Sequence, residues 1–577
     1  WTANAYVNYT KTFAKKHNLN VMAGVNAEEE EYKYLYGTRN VMYDQEGYPE
    51  LNMAGKDGQD LSWNHTSRAS AGYFGRINYD YKGIYLLELN GRYDGSSRFP
   101  HTDQWAFFPS ASIGYRFSEE AYFAPLKHIV SNGKLRASFG EIGNEAVGDY
   151  MFEQLISQRL NNKSTGYIYW IENNNANANL LTMYNMPDLV SSTLTWERIR
   201  TLNIGLDLGL LNDELTIGFD WFQRENRDML APAQVLPNTL GASAPYENAG
   251  TLRTRGWELN LNWRHTFGDF DVYANFNIGD SKTKVTKWDN DSKLLSTYYT
   301  GKTYGDIFGF ETDRYFEEKD FTSQNADGSW NYANGIASQA GLESGNFHYG
   351  PGDVKFKDLD GNGKIDGGKG TADDHGDLKV IGNSMPRYEY SFHLGGAWKG
   401  IDLDLYFQGV GKREDWTTSS LNLPAMVHAD VAIYSHQTSY NKVLWNSDYT
   451  AITGYEVNQG NRYPRLYRGT NNSGGTVSGI ANGCNNYYPQ SRYLTDMSYL
   501  RLKNVTVGYT LPKEWTRKAY IEKARIYFSG SNLFLLHKGN DLPVDPEIST
   551  GNGLTAGGWG RIAPITRTFS FGVQVTL

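Results

Sequence analysis

Cysteine is nearly absent from this 577-residue chain: Cys484 stands alone in a loop, which excludes a disulfide framework and a cysteine-built zinc site. Apolar runs are short. None approaches the roughly 18 residues of a membrane-spanning helix, so the chain does not cross a bilayer that way. Positive charge is not in excess, since 55 Lys and Arg face 64 Asp and Glu for a formal net charge of -9. With no basic stripe to neutralise phosphates, nucleic acid is not expected as a partner. No Pro/Ser-rich linker and no switch of hydrophobic period cuts the chain, so its length belongs to one large unit. Catalytic patterns are missing too. The 11 histidines are scattered, and there is no G-x-S-x-G, H-E-x-x-H or P-loop. Neighbouring acids such as Asp373 and Asp374, or Glu28 to Glu31, read as solvent-facing charge rather than a glycosidase pair. An enzyme is not expected.

What is present is alternation. In Ile401-Asp-Leu-Asp-Leu-Tyr-Phe-Gln408 one face carries Ile, Leu, Leu and Phe and the other Asp, Asp, Tyr and Gln. The same two-sidedness recurs in Trp257 to Arg264, Leu202 to Leu208 and Leu215 to Trp221. Successive side chains of a strand point to opposite faces, so each segment presents one apolar and one wet face. A soluble sandwich would turn the apolar set to a core, whereas an outer-membrane barrel turns it to lipid and lines its lumen with the polar set. Periodicity alone does not separate the two. Composition favours the barrel: 42 Tyr, 26 Phe and 15 Trp make 14% aromatic residues, and many (Tyr85, Tyr93, Trp105, Tyr115, Trp398, Tyr499, Tyr509) fall near strand ends, where interfacial girdles lie. A mean hydropathy of -0.58 is compatible, because a barrel gives only alternate residues to lipid.

The pattern places about fifteen strands, at 2–11, 18–32, 68–81, 83–93, 107–117, 133–140, 196–210, 213–226, 253–265, 269–282, 387–398, 401–411, 499–511, 523–534 and 565–577. Short turns such as Lys82-Gly83, Leu211-Asn212, Gly268-Asp269 and Lys399-Gly400 alternate with long insertions near 33–66, 141–195, 283–386 and 412–498, an outer-membrane arrangement. Insertions of that length are usually functional or disordered, and 412–498, rich in Asn, Ser, Gly and Tyr, suits hydrogen bonding and stacking against a polar ligand. One brief helix is expected from Glu119 to Leu126, capped by Ser118. Glu88, Asn90, Arg92 and Asp94 share one strand face and are read as lumenal. The chain opens inside a strand, at Trp1-Thr-Ala-Asn-Ala-Tyr, with no signal peptide before it. It is therefore expected to be the C-terminal portion of a longer polypeptide.

One segment carries metal chemistry. Asp358-Leu-Asp360-Gly-Asn362-Gly363-Lys364-Ile-Asp366 fits the first nine positions of a calcium loop: oxygen ligands at 1, 3 and 5, glycine at 6, a backbone carbonyl at 7 (Lys364) and a carboxylate at 9. Hard oxygen donors at alternate positions of a tightly turning backbone converge on one cation. The usual bidentate Glu at position 12 is replaced by Lys369, so Asp373, Asp374 or Asp377 must fold back to complete the shell.

The segments Gly91 to Pro100, Trp105 to Phe117, Lys134 to Gly140, Asn248 to Glu258, Ile381 to Tyr388, Gln408 to Arg413, Tyr499 to Pro512 and Ser531 to Phe534 resemble, in order, the barrel of SusC/RagA-type TonB-dependent transporters. The resemblance implies an all-β fold: a transmembrane antiparallel β-barrel with long extracellular loops, this chain giving the C-terminal part, about 15 strands, of 22. A plug, a TonB-contacting segment and the first strands would lie upstream. It also implies residence in the bacterial outer membrane, in contact with its lipid, and import of oligosaccharides or oligopeptides driven through TonB. A SusD-like surface lipoprotein would close over the mouth, with transporter and lid paired in a dimer. In such proteins Asp377, from its spacing before Val380-Ile-Gly, would be the distal calcium ligand, and the ion structural. Members commonly end on an aromatic residue, whereas Phe569 to Leu577 ends on Leu. The competing readings are a barrel-anchored adhesin or binding protein and a passive pore.

Overall fold

The computed structural model describes residues 1–39, 50–51, 54–55, 60–156, 158–160, 182–184, 187, 189–191, 194–232, 244–344, 347–416, 422–424, 433–466, 485–547 and 565–577. Fifteen strands form one antiparallel sheet. They are β1 (Thr2–Phe13), β2 (His17–Thr38), β3 (Asp60–Tyr81), β4 (Tyr85–Ser96), β5 (Trp105–Tyr115), β6 (Val130–Asn144), β7 (Glu197–Leu210) and β8 (Leu215–Pro232). After them come β9 (Tyr246–Phe267), β10 (Phe270–Lys287), β11 (Arg387–Trp398), β12 (Ile401–Lys412), β13 (Tyr499–Thr510), β14 (Lys523–Lys538) and β15 (Thr568–Thr576). Each pairs with the next without crossover, and β1 and β15 have one neighbour each. All fifteen expected segments are strands of this sheet. Several run longer than expected: β2, β3 and β9 each span 22 residues, because their outer ends keep pairing beyond the expected segments.

Five of the seven odd-to-even connections are tight turns of two to four residues, the exceptions being 116–129 and 511–522, and even-to-odd ones are mostly long, so tight turns gather at one rim and insertions at the other. Lys399 and Gly400 bridge the facing pair Trp398 and Ile401 with φ of 47° and 92°, the positive pair that a two-residue hairpin turn requires. The connection 116–129 departs from expectation. It holds two 3-10 turns, Phe117–Glu119 and Ala121–Leu126, rather than one capped helix. Ser118 makes no cap hydrogen bond and is buried, and Pro125 inside the second turn lacks the N–H that a continuing helix needs.

The odd face of β12 is apolar across strands. Leu405 stands opposite Leu394 on one side and Val505 on the other, and Phe392 stacks on Phe407 at 4.3 Å. Aromatic residues bound this face at both ends. Near the short turns Tyr85 lies 6.4 Å from Tyr81 and 5.2 Å from Tyr115. At the other end Trp105 stacks on Tyr93 at 5.1 Å and on Tyr73 at 6.1 Å. Tyr85 and Tyr93 are eight residues apart, about 26 Å along a strand, which tilt shortens toward the roughly 25 Å or less of an outer-membrane apolar band. Among the described residues no helix is long and apolar enough to cross a membrane.

The largest buried cluster lies above the sheet, in the long connections. Phe310, Tyr315, Phe316, Phe347, Tyr349, Val354, Phe356 and Ile365 from 288–386 pack with Leu423, Tyr463, Tyr487 and Tyr493 from 413–498. Two insertions that read as polar loops thus share a hydrophobic core. A smaller cluster of Phe99, Phe108, Val147, Leu194 and Trp196 lies at the base of another insertion.

Candidate functional site

The wet face of the sheet is a ladder of ion pairs, two of which reach over a glycine. Arg136 on β6 donates to both oxygens of Asp207 on β7, at 2.8 Å each, and to both of Asp220 on β8, at 3.0 Å each. Gly205 lies between them, and a Cβ there would stand 2.6 Å from both Arg136 Cζ and Asp220 Oδ1. Arg525 on β14 reaches Asp402 on β12 across Gly508 in the same way. Asp404 accepts from Tyr273 and pairs with His393. Arg387 binds Asp280, and Glu225 gathers Arg227 and Arg253. Bidentate arginine forks bind carboxylates more firmly than single contacts do, so this face is a rigid, hydrated surface of fixed charge.

The expected lumenal set shares this face. Arg92 donates to Asp94 at 3.0 and 2.9 Å and to Asn26 on β2 at 3.0 Å, and Asn90 donates to Glu88 at 2.8 Å. Arg92 is therefore held by its neighbours.

The second site is in the folded insertions. A buried knot ties the two together: Asp353, fully buried, accepts from Arg465 Nε at 2.8 Å, from an Arg465 terminal nitrogen at 2.6 Å, from Asn486 at 2.8 Å and from the Gly350 N–H at 2.8 Å. Five residues beyond, the aspartate loop begins. Asp358 accepts from the N–H groups of Gly361 and Gly363 at 2.7 and 2.8 Å. Both glycines have positive φ, 75° and 79°, which turns the chain tightly enough to aim alternate side chains inward. Asp377 is fully buried. Its two oxygens accept from the N–H groups of Leu359 at 2.6 Å and Asp366 at 3.0 Å. One carboxylate oxygen from each of Asp358, Asp360 and Asp377 lies within 4.8 Å of the other two, a donor set of the right hardness for calcium.

Of the three acids offered to close this shell, only Asp377 arrives. Asp373 pairs with Lys293 at 2.8 Å and Asp374 faces Lys369 at 3.6 Å. Asn362 uses its Oδ1 to accept from the Lys364 N–H, and Asp366 accepts from Gly368; the converging acids are Asp358, Asp360 and Asp377, without Asp366. Lys364 forms a bridge with Ser338. Nearby, Lys357 and Lys379 hold the Glu311 carboxyl down to about 2, while burial pushes Asp415 up to about 6 against the opposing charge of Arg413.

Comparison with known proteins gives this geometry a family. Residues 1–373 match the TonB dependent receptor-like β-barrel family. The chain belongs to that family. As a TonB-dependent receptor barrel it lies in the outer membrane, and it is not an enzyme. It is 27% identical to TonB-dependent receptor P3 of Formosa agariphila over 99% of this chain and 51% of that protein. It is 25% identical to TonB-dependent receptor SusC of Bacteroides thetaiotaomicron over 95% of this chain and 48% of that one. In fold it matches the RagAB peptide transporter structure with a TM-score of 0.70 at 18% identity, covering all of this chain and 55% of that one. The chain spans about half the length of the relatives it matches. Within this TonB-dependent receptor barrel, sequence reading found the aspartate loop and the Glu88–Asp94 face. It missed the glycine-spanned ion pairs and the Asp353 knot. The alternating acids Asp402 and Asp404 signalled the first; nothing local signalled the second. Cys484 lies outside the described residues.

Proposed function

We propose that this chain is the barrel of a TonB-energised outer-membrane importer of oligosaccharides or oligopeptides. The observation that carries the reading is the width and wetness of the wall. Fifteen strands already approach the number at which a barrel can no longer be filled by its own side chains and holds either a channel or a plug. In this reading a plug, a TonB-contacting segment and the remaining strands belong to the longer protein, completing a 22-stranded barrel. A SusD-like lipoprotein covers the folded insertions, and transporter and lid assemble as a pair of pairs. The protein purified from outer membranes is expected near or above about 100 kDa, well beyond the 65.2 kDa of this chain, with a lipoprotein partner. Uptake of its oligomer stops when TonB is deleted. Surface binding that persists with no TonB-dependent uptake would instead establish an anchored adhesin, and uptake indifferent to TonB a passive pore.

We propose further that Asp358, Asp360 and Asp377 hold a structural calcium ion, with Asn362, the Lys364 carbonyl and Asp366 completing the loop. Bound there, the ion would clamp 358–366 to the segment entering the strand 378–383 and so fix the attitude of the folded insertion. The exposed Asp360 gives the clean test, since it holds only local turn contacts. Chelation is expected to lower the melting temperature of the wild type and leave an Asp360→Ala variant unmoved. A wild type indifferent to chelator would exclude the ion.

A further inference from the structure

Where β2 and β3 run beyond their neighbour they form a ribbon at the outer rim. β4 accompanies β3 only to Ser70, while β2 and β3 stay in register out to Thr38 and Asp60. The ribbon continues the two faces of the wall. Even-numbered residues of β2 belong to the wet face, where Asn26 accepts from Arg92. The next even positions are Glu28, Glu30, Tyr32, Tyr34 and Tyr36. Their three tyrosine rings lie nearly parallel, with centroids 6.5 and 6.4 Å apart and planes 6° and 15° from one another. This spacing is the two-residue repeat of a strand, too wide for one ring to cover the next. The residues are 51%, 45% and 48% exposed. Directly opposite stand Thr66, Asn64 and Ser62, short side chains that leave the rings bare and set hydroxyl and amide groups beside them. No charge stands at these six positions, and Glu30 below them is paired with Arg68.

We propose that Tyr32, Tyr34 and Tyr36 form a stacking track at the mouth of the barrel for an extended, uncharged saccharide chain. The track leads onto the same wet face as Asn26, Arg92 and Asp94. The proposal rests on the import reading and narrows its substrate to glycans. A pyranose ring presents a face of C–H groups with partial positive charge, which the negative face of an aromatic ring attracts. Its rim of hydroxyls needs neutral donors and acceptors at the side, which Asn64, Ser62 and Thr66 provide. An extended peptide would instead use main-chain hydrogen bonds at a strand edge. The track lies on the ribbon's face, so a further strand beside β2 leaves it intact.

The test uses the full-length transporter in detergent and calorimetric binding of malto-, cello-, laminari-, xylo- and mannohexaose, with tryptic casein peptides as the competing class. At least one hexaose is expected to bind. Tyr32→Ala/Tyr34→Ala/Tyr36→Ala should weaken it about tenfold or more, and the triple Phe variant should stay within about threefold of wild type, because the phenyl face remains. Should the triple alanine variant lose the heat-modifiable band of a folded barrel, Tyr34→Ala is read in its place. Absence of hexaose binding, equal binding by the alanine variant, or peptide binding that falls with the tyrosines would each overturn the track. TonB-dependent uptake of a glycan, measured in parallel and insensitive to the tyrosines, would sink the track and leave import standing. Loss of all TonB-dependent uptake in the wild type would sink import itself.

Discussion

Replacing Asp353 by alanine should unfold the shared core of the two insertions while leaving the barrel standing. Asp353 is fully buried, Arg465 is 12% exposed, and four hydrogen bonds end on the one carboxylate. Alanine removes both carboxylate oxygens and the four hydrogen bonds they accept, which strands the Arg465 charge, still held to the His348 carbonyl, beside the Asn486 amide and the Gly350 N–H. Breaking a buried pair from one side costs about 3–5 kcal/mol, so the population of the locally opened state should rise by roughly a hundred- to several thousand-fold. Limited proteolysis under conditions where reclosing outruns cleavage reads that population directly. Cleavage within 288–386 or 413–498 should accelerate accordingly, while the heat-modifiable band of the barrel persists. Asp353→Asn, which keeps the shape and one acceptor, should fall between. Cleavage within about threefold of wild type for the alanine variant would show that the knot is not what joins the insertions.

Asp415 should impose a pH dependence of its own. Its folded value, about 6, lies above the ordinary 3.8, so between those values the folded state holds the proton more firmly. Its contribution is therefore full below about pH 4 and is lost as pH rises through 6. Asp415→Asn should remove that slope and stabilise the insertions at pH 7 by up to about 3 kcal/mol, measured by thermal unfolding; an unchanged slope would count against the burial argument. Glu311 has the opposite sign: held near 2 by Lys357 and Lys379, it contributes above about pH 4.5 and is lost only in strong acid. Glu311→Gln should shift acid unfolding in the insertions upward. On the apolar face, Leu405→Arg sits near mid-band between Leu394 and Val505. It should destabilise the barrel by about 2–4 kcal/mol in refolding titrations into bilayers, whereas a change below about 0.5 kcal/mol would mean that this face does not meet lipid.

The sequence by itself determined which residues are strands, which face of each is wet, and at which end the tight turns lie. These are local properties: a period of two and the turn chemistry of Lys399-Gly400 need no knowledge of distant neighbours. It also brought out the aspartate loop, because the alternating oxygen side chains of 358–366 sit within nine residues. Only the tertiary structure decided which arginine meets which acid, since Arg525 and Asp402 are 123 positions apart and their meeting depends on the register of three strands and on Gly508 having no side chain to part them. The family resemblance already pointed to Asp377, and the tertiary structure shows why Asp373 and Asp374 stay away: it buries the Asp377 carboxylate and gives the other two to lysines. The core of the insertions was illegible for the same reason: Phe310, Tyr349, Tyr463 and Tyr493 recur with no period, so no window of sequence can show that two connections, read as loops, close on each other and exclude water.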